Sequence, residues 1–562
     1  MKRAYNPQIV EPKWRAAWDL AGCDVAPDAP VGPKFFNYDS GPFPNGPLHM
    51  GHVRTYVLGD VTARYQRLAG RSVLYATEWD AFGLPNELGA LAEGRDPRAF
   101  TQSHIRQMRA QMRRLGISYD YGRIRNTSDP AYYRFTQWLF LELLARGLVE
   151  RREADLPWCP SCATALAAMQ IERGACWRCG TDVETRRLPQ WFVDLSSHAK
   201  ALDRDLDALD GWSERARNGL RAAMVHSGRS TAWLVSRQRA WGTPIPIVHC
   251  ASCGAVPVPR ERLPVRHGEP AEAPCPRCGG EGRRETDTLD CFFDDVWCFY
   301  ACLAPIDRPG ATVFPSPELD AWMPVDRFHS GYDTLIYLHL HRFVARVLAA
   351  AGHVRDAEPV RSHFGHDLVL SAGRKMSKHL GNAVSPSKLL RVHGADATRV
   401  AVLWAAGPAR ALEWDRRHLG RAVALLDAFY RLCLRFPTRG ASGAATRAAA
   451  ALEGRTLEVF AEVARYLEDY RPNVALERLA SLLRGIEEFL GPREGAGRLA
   501  ADDRAVVSAV LHRFAIALVP FAPHLAEEAC AKMGHPPFAV RARWPAPVTA
   551  GPGSPATPED PS

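Results

Sequence analysis

Two short clusters of basic character lie far apart in the chain, His49-Met50-Gly51-His52 and Lys375-Met376-Ser377-Lys378, and both are built from residue types that handle phosphate. Imidazoles at the start of a helix add hydrogen bonds where free N–H groups and the positive dipole end already favour phosphate, and they suit a pentavalent transition state. Gly51 leaves the backbone bare, so that a flat base can lie on it where any Cβ would intrude. Lys375, Met376, Ser377 and Lys378 sit in a glycine-bracketed segment from Gly373 to Gly381, suited to closing on pyrophosphate as charge develops on the leaving group. The chemistry these clusters share is the splitting of ATP to activate a carboxylic acid.

The surrounding sequence must position them. Phe35 to Tyr38 reads as a buried strand, Pro42 to Pro47 as a turn, and Val53 to Val61 resumes with helical spacing, which puts His49 and His52 at a strand-to-helix junction. Phe328 to Asp333 is expected to start a helix running through Leu335, Leu338, Phe343 and Val347, with His339 and His341 as packing or solvated groups. From Leu425 onward the periodicity is helical, as in Ala461 to Leu467, Ala475 to Leu483 and Val506 to Val519, and a helix bundle follows. The Ala/Gly/Thr-rich stretch from Thr438 to Arg455 reads as a helix extension or a loop, and the proline-rich residues 546–562 as a disordered tail.

A chain of 562 residues, 46% hydrophobic, suffices for about three or four cores. It has no run of about 18 apolar residues and no apolar leader after Met1, so no membrane partner and a cytoplasmic location are expected. A net charge of +9 is compatible with a nucleic-acid partner without requiring one. Fourteen cysteines without an export signal favour metal or buried thiols over disulfides. Eight form two sets of paired Cys-x2-Cys, Cys159/Cys162 with Cys176/Cys179 and Cys250/Cys253 with Cys275/Cys278, each able to close a tetrahedral structural Zn2+ site. Cys23, Cys291, Cys298, Cys302, Cys433 and Cys530 are expected to be buried small hydrophobes.

With the two phosphate motifs, the segments Glu78 to Glu87, Val235 to Pro246, Asp287 to Asp290 and Gly394 to Arg399 make the chain resemble the class I aminoacyl-tRNA synthetases, nearest the leucine branch, over residues 5 to 545. The resemblance implies an α/β fold, a split Rossmann-like doubly wound parallel sheet with zinc-binding insertions and a C-terminal helical bundle. The expected order is a first catalytic half (1–155), a first zinc module (156–190), a connector (191–243), a second zinc module (244–286), a second catalytic half (287–382), a stem contact region (383–420), an anticodon-binding-like bundle (421–545) and the tail (546–562).

By the same resemblance Asp80 would hold the substrate ammonium, Gly331 and Asp333 would lie by the ATP ribose, and Mg2+ would bind through the phosphates. Bacterial leucine enzymes place Met-Phe where this chain has Ser40-Gly41, so the amino-acid pocket is either enlarged or rebuilt from Phe43, Tyr332 and their neighbours. Similar enzymes insert a hydrolytic editing domain where only Thr231 and Ala232 stand here, and no small C-terminal domain is expected after Trp544. The implied activity is ATP-dependent formation of an aminoacyl adenylate and transfer to tRNA by a monomer. A ligase delivering to a small molecule or carrier protein, and an inactive RNA-binding paralogue, are the alternatives; the intact His49, His52, Asp80, Lys375 and Lys378 weigh against the last.

Overall fold

The computed structural model describes residues 4–166, 170–226, 232–308, 310–332, 334–376, 381–438, 444–495 and 499–545. Ser377, Lys378, Asp333, Thr231 and the tail 546–562 lie outside them.

The centre is a five-stranded sheet of β1 (Lys34–Asp39), β2 (Ser72–Ala76), β3 (Gly211–Trp212), β4 (Arg327–Gly331) and β5 (Ser362–His366), in the order β3-β5-β4-β1-β2. Every neighbouring pair is parallel. Side chains alternate across such a sheet, so Phe35, Val73 and Tyr75 join one core while Phe36, Tyr38, Leu74 and Ala76 join the other. Both faces are covered, which is why β1 is buried continuously from Phe35 to Asp39 rather than at alternate residues. The chain leaves β1 towards β2 on one side and meets β4 on the other, so the switch in strand order falls between β1 and β4. Their carboxyl ends, Asp39 and Gly331, open a crevice there.

Two sequence expectations need correction. Phe328 to Gly331 does not start a helix: it is part of β4, with Phe328 opposite Tyr38, and the helix begins only at Leu338 after a short 3-10 turn. A short apolar run fits a strand or a buried helix equally, and pairing with β1 decides it. Cys23 is half-buried, whereas the other five lone cysteines are buried. The connector also supplies the edge strand β3, invisible in sequence because it is two residues long. The boundaries expected at 155/156 and 190/191 fall within one antiparallel ribbon, Val149–Cys159 against Glu184–Asp194, whose pairing spans residues 149–158 and 184–193.

Helices α1 (Pro7–Ala21) and α2 (Met50–Leu68) are followed in the C-terminal half by α3 (Ala395–Ala405), α4 (Arg417–Arg435), α5 (Arg447–Glu468), α6 (Pro472–Gly495), α7 (Ala501–Leu518) and α8 (Pro523–Met533). Of the stretch 438–455, residues 447–455 are helical; Thr446 caps α5 by accepting the Ala449 N–H at 3.2 Å. The bundle and α2 share one apolar core. Helix α1 is pinned to α8 through Trp14 and Trp18, whose indole N–H groups donate to Glu528 and Glu527 at 2.8 and 3.1 Å.

Candidate active site

His49 is the N-cap of α2 and His52 its third residue, and the two close a reciprocal cap. His49 Nδ1 accepts the Gly51 N–H at 3.0 Å, while the His49 N–H donates to His52 Nδ1 at 3.2 Å. With Nδ1 accepting in both rings, the proton of each neutral imidazole sits on Nε2, which makes each ring an Nε2–H donor. The rings lie 3.9 Å apart at the positive end of the helix. A Cβ on Gly51 would come within 2.7 Å of the His49 ring, so this glycine seats the imidazole.

Lys375 lies on the exposed strand of a hairpin of Val369–Ser371 against Arg374–Lys375, and the same helix anchors that hairpin. Arg54, buried on α2, donates to the carbonyls of Leu368, Gly407, Pro408 and Arg410 at 2.7–3.2 Å. The Glu413 carboxylate accepts the Ala372 and Gly373 N–H groups and holds the hairpin tip. Met376 is buried in the main core; its backbone N–H donates to the Val369 carbonyl at 2.9 Å and its sulfur accepts the Val384 N–H. Its side chain therefore supports the hairpin. Two residues on, Lys378 is outside the described residues, so the geometry here concerns Lys375 alone.

Three histidines of the central strands are paired through their rings. His329 pairs with Asn37 at 2.9 Å, His363 with Ser330 at 2.9 Å, and His366 with Thr55 of α2 at 2.9 Å. Burial holds His329 well below the usual imidazole range and pushes His363 down to about 3. Gly331 ends β4 opposite His366, and Asp333, expected beside it, is not among the described residues. His339 and His341 are buried and bonded to the backbone carbonyls of Leu220 and Tyr337, as packing groups should be.

Beside the crevice Asp80 is buried, its Oδ1 without a hydrogen-bond partner, and its backbone N–H donates to the Pro42 carbonyl at 3.2 Å. Burial raises its carboxyl well above the usual range, and the neighbouring charges of Asp294, Glu78 and Asp290 raise it further. The Ser40 N–H donates to the His329 carbonyl at 2.9 Å. Gly41 lies against Glu78: its N–H donates to Glu78 Oε1 at 3.1 Å, and a Cβ there would meet that oxygen at 2.6 Å. Phe43 packs on Gly83, whereas the Tyr332 ring covers Gly365 beneath Arg215, so the two aromatic rings have separate supports.

The segments that carried the resemblance interlock. Arg237 pairs with Asp290, Gln238 donates to Asp287 at 2.9 Å, and the Glu87 carboxylate accepts the N–H groups of Ala240 and Trp241. The Trp241 indole N–H donates to the Ala81 carbonyl at 2.7 Å. Each cysteine set also converges: the four sulfurs of Cys159, Cys162, Cys176 and Cys179, and those of Cys250, Cys253, Cys275 and Cys278, lie within 4.8 Å of one another. An all-thiol donor set of that size fits a closed tetrahedral zinc site.

Residues 25–415 match the family of class I tRNA synthetases (I, L, M and V), and residues 450–557 match the anticodon-binding domain of tRNA ligases. The chain belongs to the class I tRNA synthetases. Among curated proteins, the leucine–tRNA ligases of Thermotoga petrophila and Thermotoga maritima are 27% and 28% identical, over 97% of this chain and 91% of theirs. Those alignments run over 766 and 763 positions against a chain of 562 residues, so this synthetase lacks a large stretch that they possess. The ternary complex of Agrobacterium radiobacter K84 agnB2 LeuRS with tRNA and LeuAMS superposes with a TM-score of 0.88 at 25% identity, covering 96% of this chain and 90% of that one. A Mycobacterium tuberculosis methionyl-tRNA synthetase shares the fold, with a TM-score of 0.70 at 19% identity over 90% of this chain and 96% of that one. In this synthetase the helix Glu214–His226 and the strand Ala232–Leu234 flank the expected editing insertion point, and the strand pairs directly with the ribbon. No helix among the described residues is long and apolar enough to cross a membrane.

Sequence reasoning passed over Glu78, Asp294 and Asp295 as site residues, although Glu78 stands two positions before Asp80. Their only signal was an unusual density of acids in otherwise apolar segments, and nothing local marks such acids as neighbours in space.

Proposed function

We propose that this synthetase uses ATP to convert an amino acid to its aminoacyl adenylate and transfers the acyl group to the 3′ end of a tRNA. The observation that carries the reading is the His49–His52 pair at the start of α2, with the Lys375 hairpin tied to the same helix by Arg54. An amino-acid carboxylate oxygen attacks the α-phosphorus, the bond to the bridging oxygen breaks, and pyrophosphate leaves. The Nε2–H donors of His49 and His52 oppose the charge gathering on the phosphoryl oxygens, and Lys375 and Lys378 take the pyrophosphate. The bare backbone at Gly51 carries the adenine, Met376 and Ser377 complete the loop at the nucleotide, and Gly331 with Asp333 holds the ribose. Asp80 binds the substrate ammonium, which fixes the carboxylate for attack. Ser40, Gly41 and Phe43 border the side-chain pocket.

The two cysteine sets would hold zinc and so brace the insertions, and magnesium bound with the nucleotide would supply neutralisation of triphosphate charge. Residues 1–155 and 287–382 form the two catalytic halves, 383–420 the stem contact and 421–545 the anticodon-binding bundle of a cytoplasmic monomer. The test is ATP–pyrophosphate exchange across a panel of amino acids. Exchange that depends on one amino acid, or on a few related ones, is expected; its absence with every amino acid overturns the reading.

A further inference from the structure

The strongest unexplained feature of the molecule is the charge around Asp80. Glu78, Asp80, Asp290 and Asp294 are all buried, and Asp295 adjoins them. The charges of Glu78, Asp80, Asp290 and Asp294 all act on Asp295, and those of Glu78, Asp290 and Asp294 act on Asp80. Among the described residues, the cationic side chains facing this group are Arg237 and Arg239. Arg237 is committed to Asp290, and Arg239, 4.0 Å from Asp290 at its nearest, is shared with Glu87. Carboxylates therefore outnumber guanidiniums, in a place where an unneutralised charge is costly. One α-ammonium pairs with one of them, and the others require a proton or a further cation.

Two of the carboxylates point at a ligand. Asp80 is 3% exposed and its Oδ1 is buried with no hydrogen-bond partner; Asp295 Oδ1 is likewise buried and unpartnered. These acids do not converge on one point as the cysteine sets do, so among the described residues they do not form a site for a single metal ion. They line a volume. Glu78 also packs against Gly41: a Cβ there would fall 2.6 Å from both its backbone carbonyl oxygen and its Oε1, so the glycine lets the backbone and the carboxylate approach this closely. The carboxylate is held there by the Tyr38 hydroxyl and the Gly41 N–H. Glu78 thus places a second buried carboxylate two residues before Asp80.

We infer that the pocket takes an amino acid with a second cationic group on its side chain, the α-ammonium going to Asp80 and the side-chain cation to Glu78 and Asp295. Resting on the proposed activation reading, this assigns the substrate class: a basic amino acid with a terminal ammonium rather than a branched aliphatic one. A site built around buried charges rejects the analogue that leaves them unpaired, which gives far stronger discrimination than one methylene does.

The test is pyrophosphate exchange by the full-length protein with matched pairs, ornithine against norvaline and lysine against norleucine, and with leucine. The basic member of at least one pair should exceed its neutral partner and leucine by about 10²-fold or more in kcat/KM. Glu78→Gln and Asp295→Asn, which keep shape and remove charge, should erase that preference. Should either variant fail to fold by circular dichroism, the wild-type pairs still decide. If leucine or another neutral amino acid is used better than every basic one, the inference fails while the activation reading stands. A basic preference that survives both substitutions overturns the assignment to Glu78 and Asp295. If no amino acid supports exchange, the activation reading falls and takes this inference with it.

Discussion

Arg399 and Asp60 meet at 2.6 Å with both side chains fully buried, joining α3 to the helix that opens with His49. Asp60 also accepts from Arg64 at 2.8 Å and from the Ser118 N–H and hydroxyl, both at 2.6 Å, while Arg399 donates to the carbonyls of Pro520 and Phe521 before α8. One buried network thus ties the phosphate-handling helix to the C-terminal bundle. Although burial opposes ionisation, Arg64 and Arg399 hold the Asp60 carboxyl below the usual range. Arg399→Ala should destabilise the protein by about 3–5 kcal/mol, since it strips a partner from a buried charge. Urea unfolding at neutral pH measures it, and a change below about 1 kcal/mol would contradict the network's importance.

A second buried carboxyl titrates in the opposite sense. Glu11 accepts the N–H groups of Ala395 and Asp396 at the start of α3, and burial, reinforced by the Asp396 charge, pushes it up to about 8. The folded protein therefore holds a proton that the unfolded chain releases near pH 4.5, so this contribution is full below that value and is lost as pH rises through about 8. Glu11→Gln keeps the acceptor oxygen and should flatten the stability profile between those limits. Unfolding free energies measured across that range check it; parallel profiles for both proteins would refute the assignment.

What the sequence disclosed divides along physical lines. The His49–His52 junction was legible because a turn followed by helical spacing is a local signal, and the cysteine sets because metal spacing is local too. Phe328 to Gly331 was misread because only its partner Tyr38, some 290 residues away by the measure of the neighbouring Phe36–Asp326 bond, makes it a strand. The burial of Arg54, Arg399 and Glu78 was hidden for the same reason: a charged letter in an apolar helix or strand does not reveal the distant carbonyl, carboxylate or hydroxyl that allows it.

Loss of either imidazole donor should slow activation. His52→Ala and His49→Ala are each expected to lower the pyrophosphate-exchange rate by about 10²-fold or more, with a smaller effect on the KM for ATP. Because His49 also caps α2, its variant should lose about 1 kcal/mol of stability as well. Exchange unchanged in both variants would remove the histidines from the chemistry.

Metal analysis of untagged protein should find about two zinc ions per chain, one per cysteine set. Cys162→Ser and Cys253→Ser should each remove one, and a strong chelator should lower the thermal midpoint. Retention of full stability in metal-free protein would leave the sulfurs as reduced thiols only.

The most direct test is tRNA charging itself. The full-length protein, incubated with ATP, total tRNA and the amino acid that best supports exchange, should form acid-precipitable aminoacyl-tRNA. The rate should fall steeply between about 50 and 200 mM salt, because phosphate contacts dominate such binding. Robust exchange without any charged tRNA would contradict the account and turn the acceptor into a small molecule or a carrier protein.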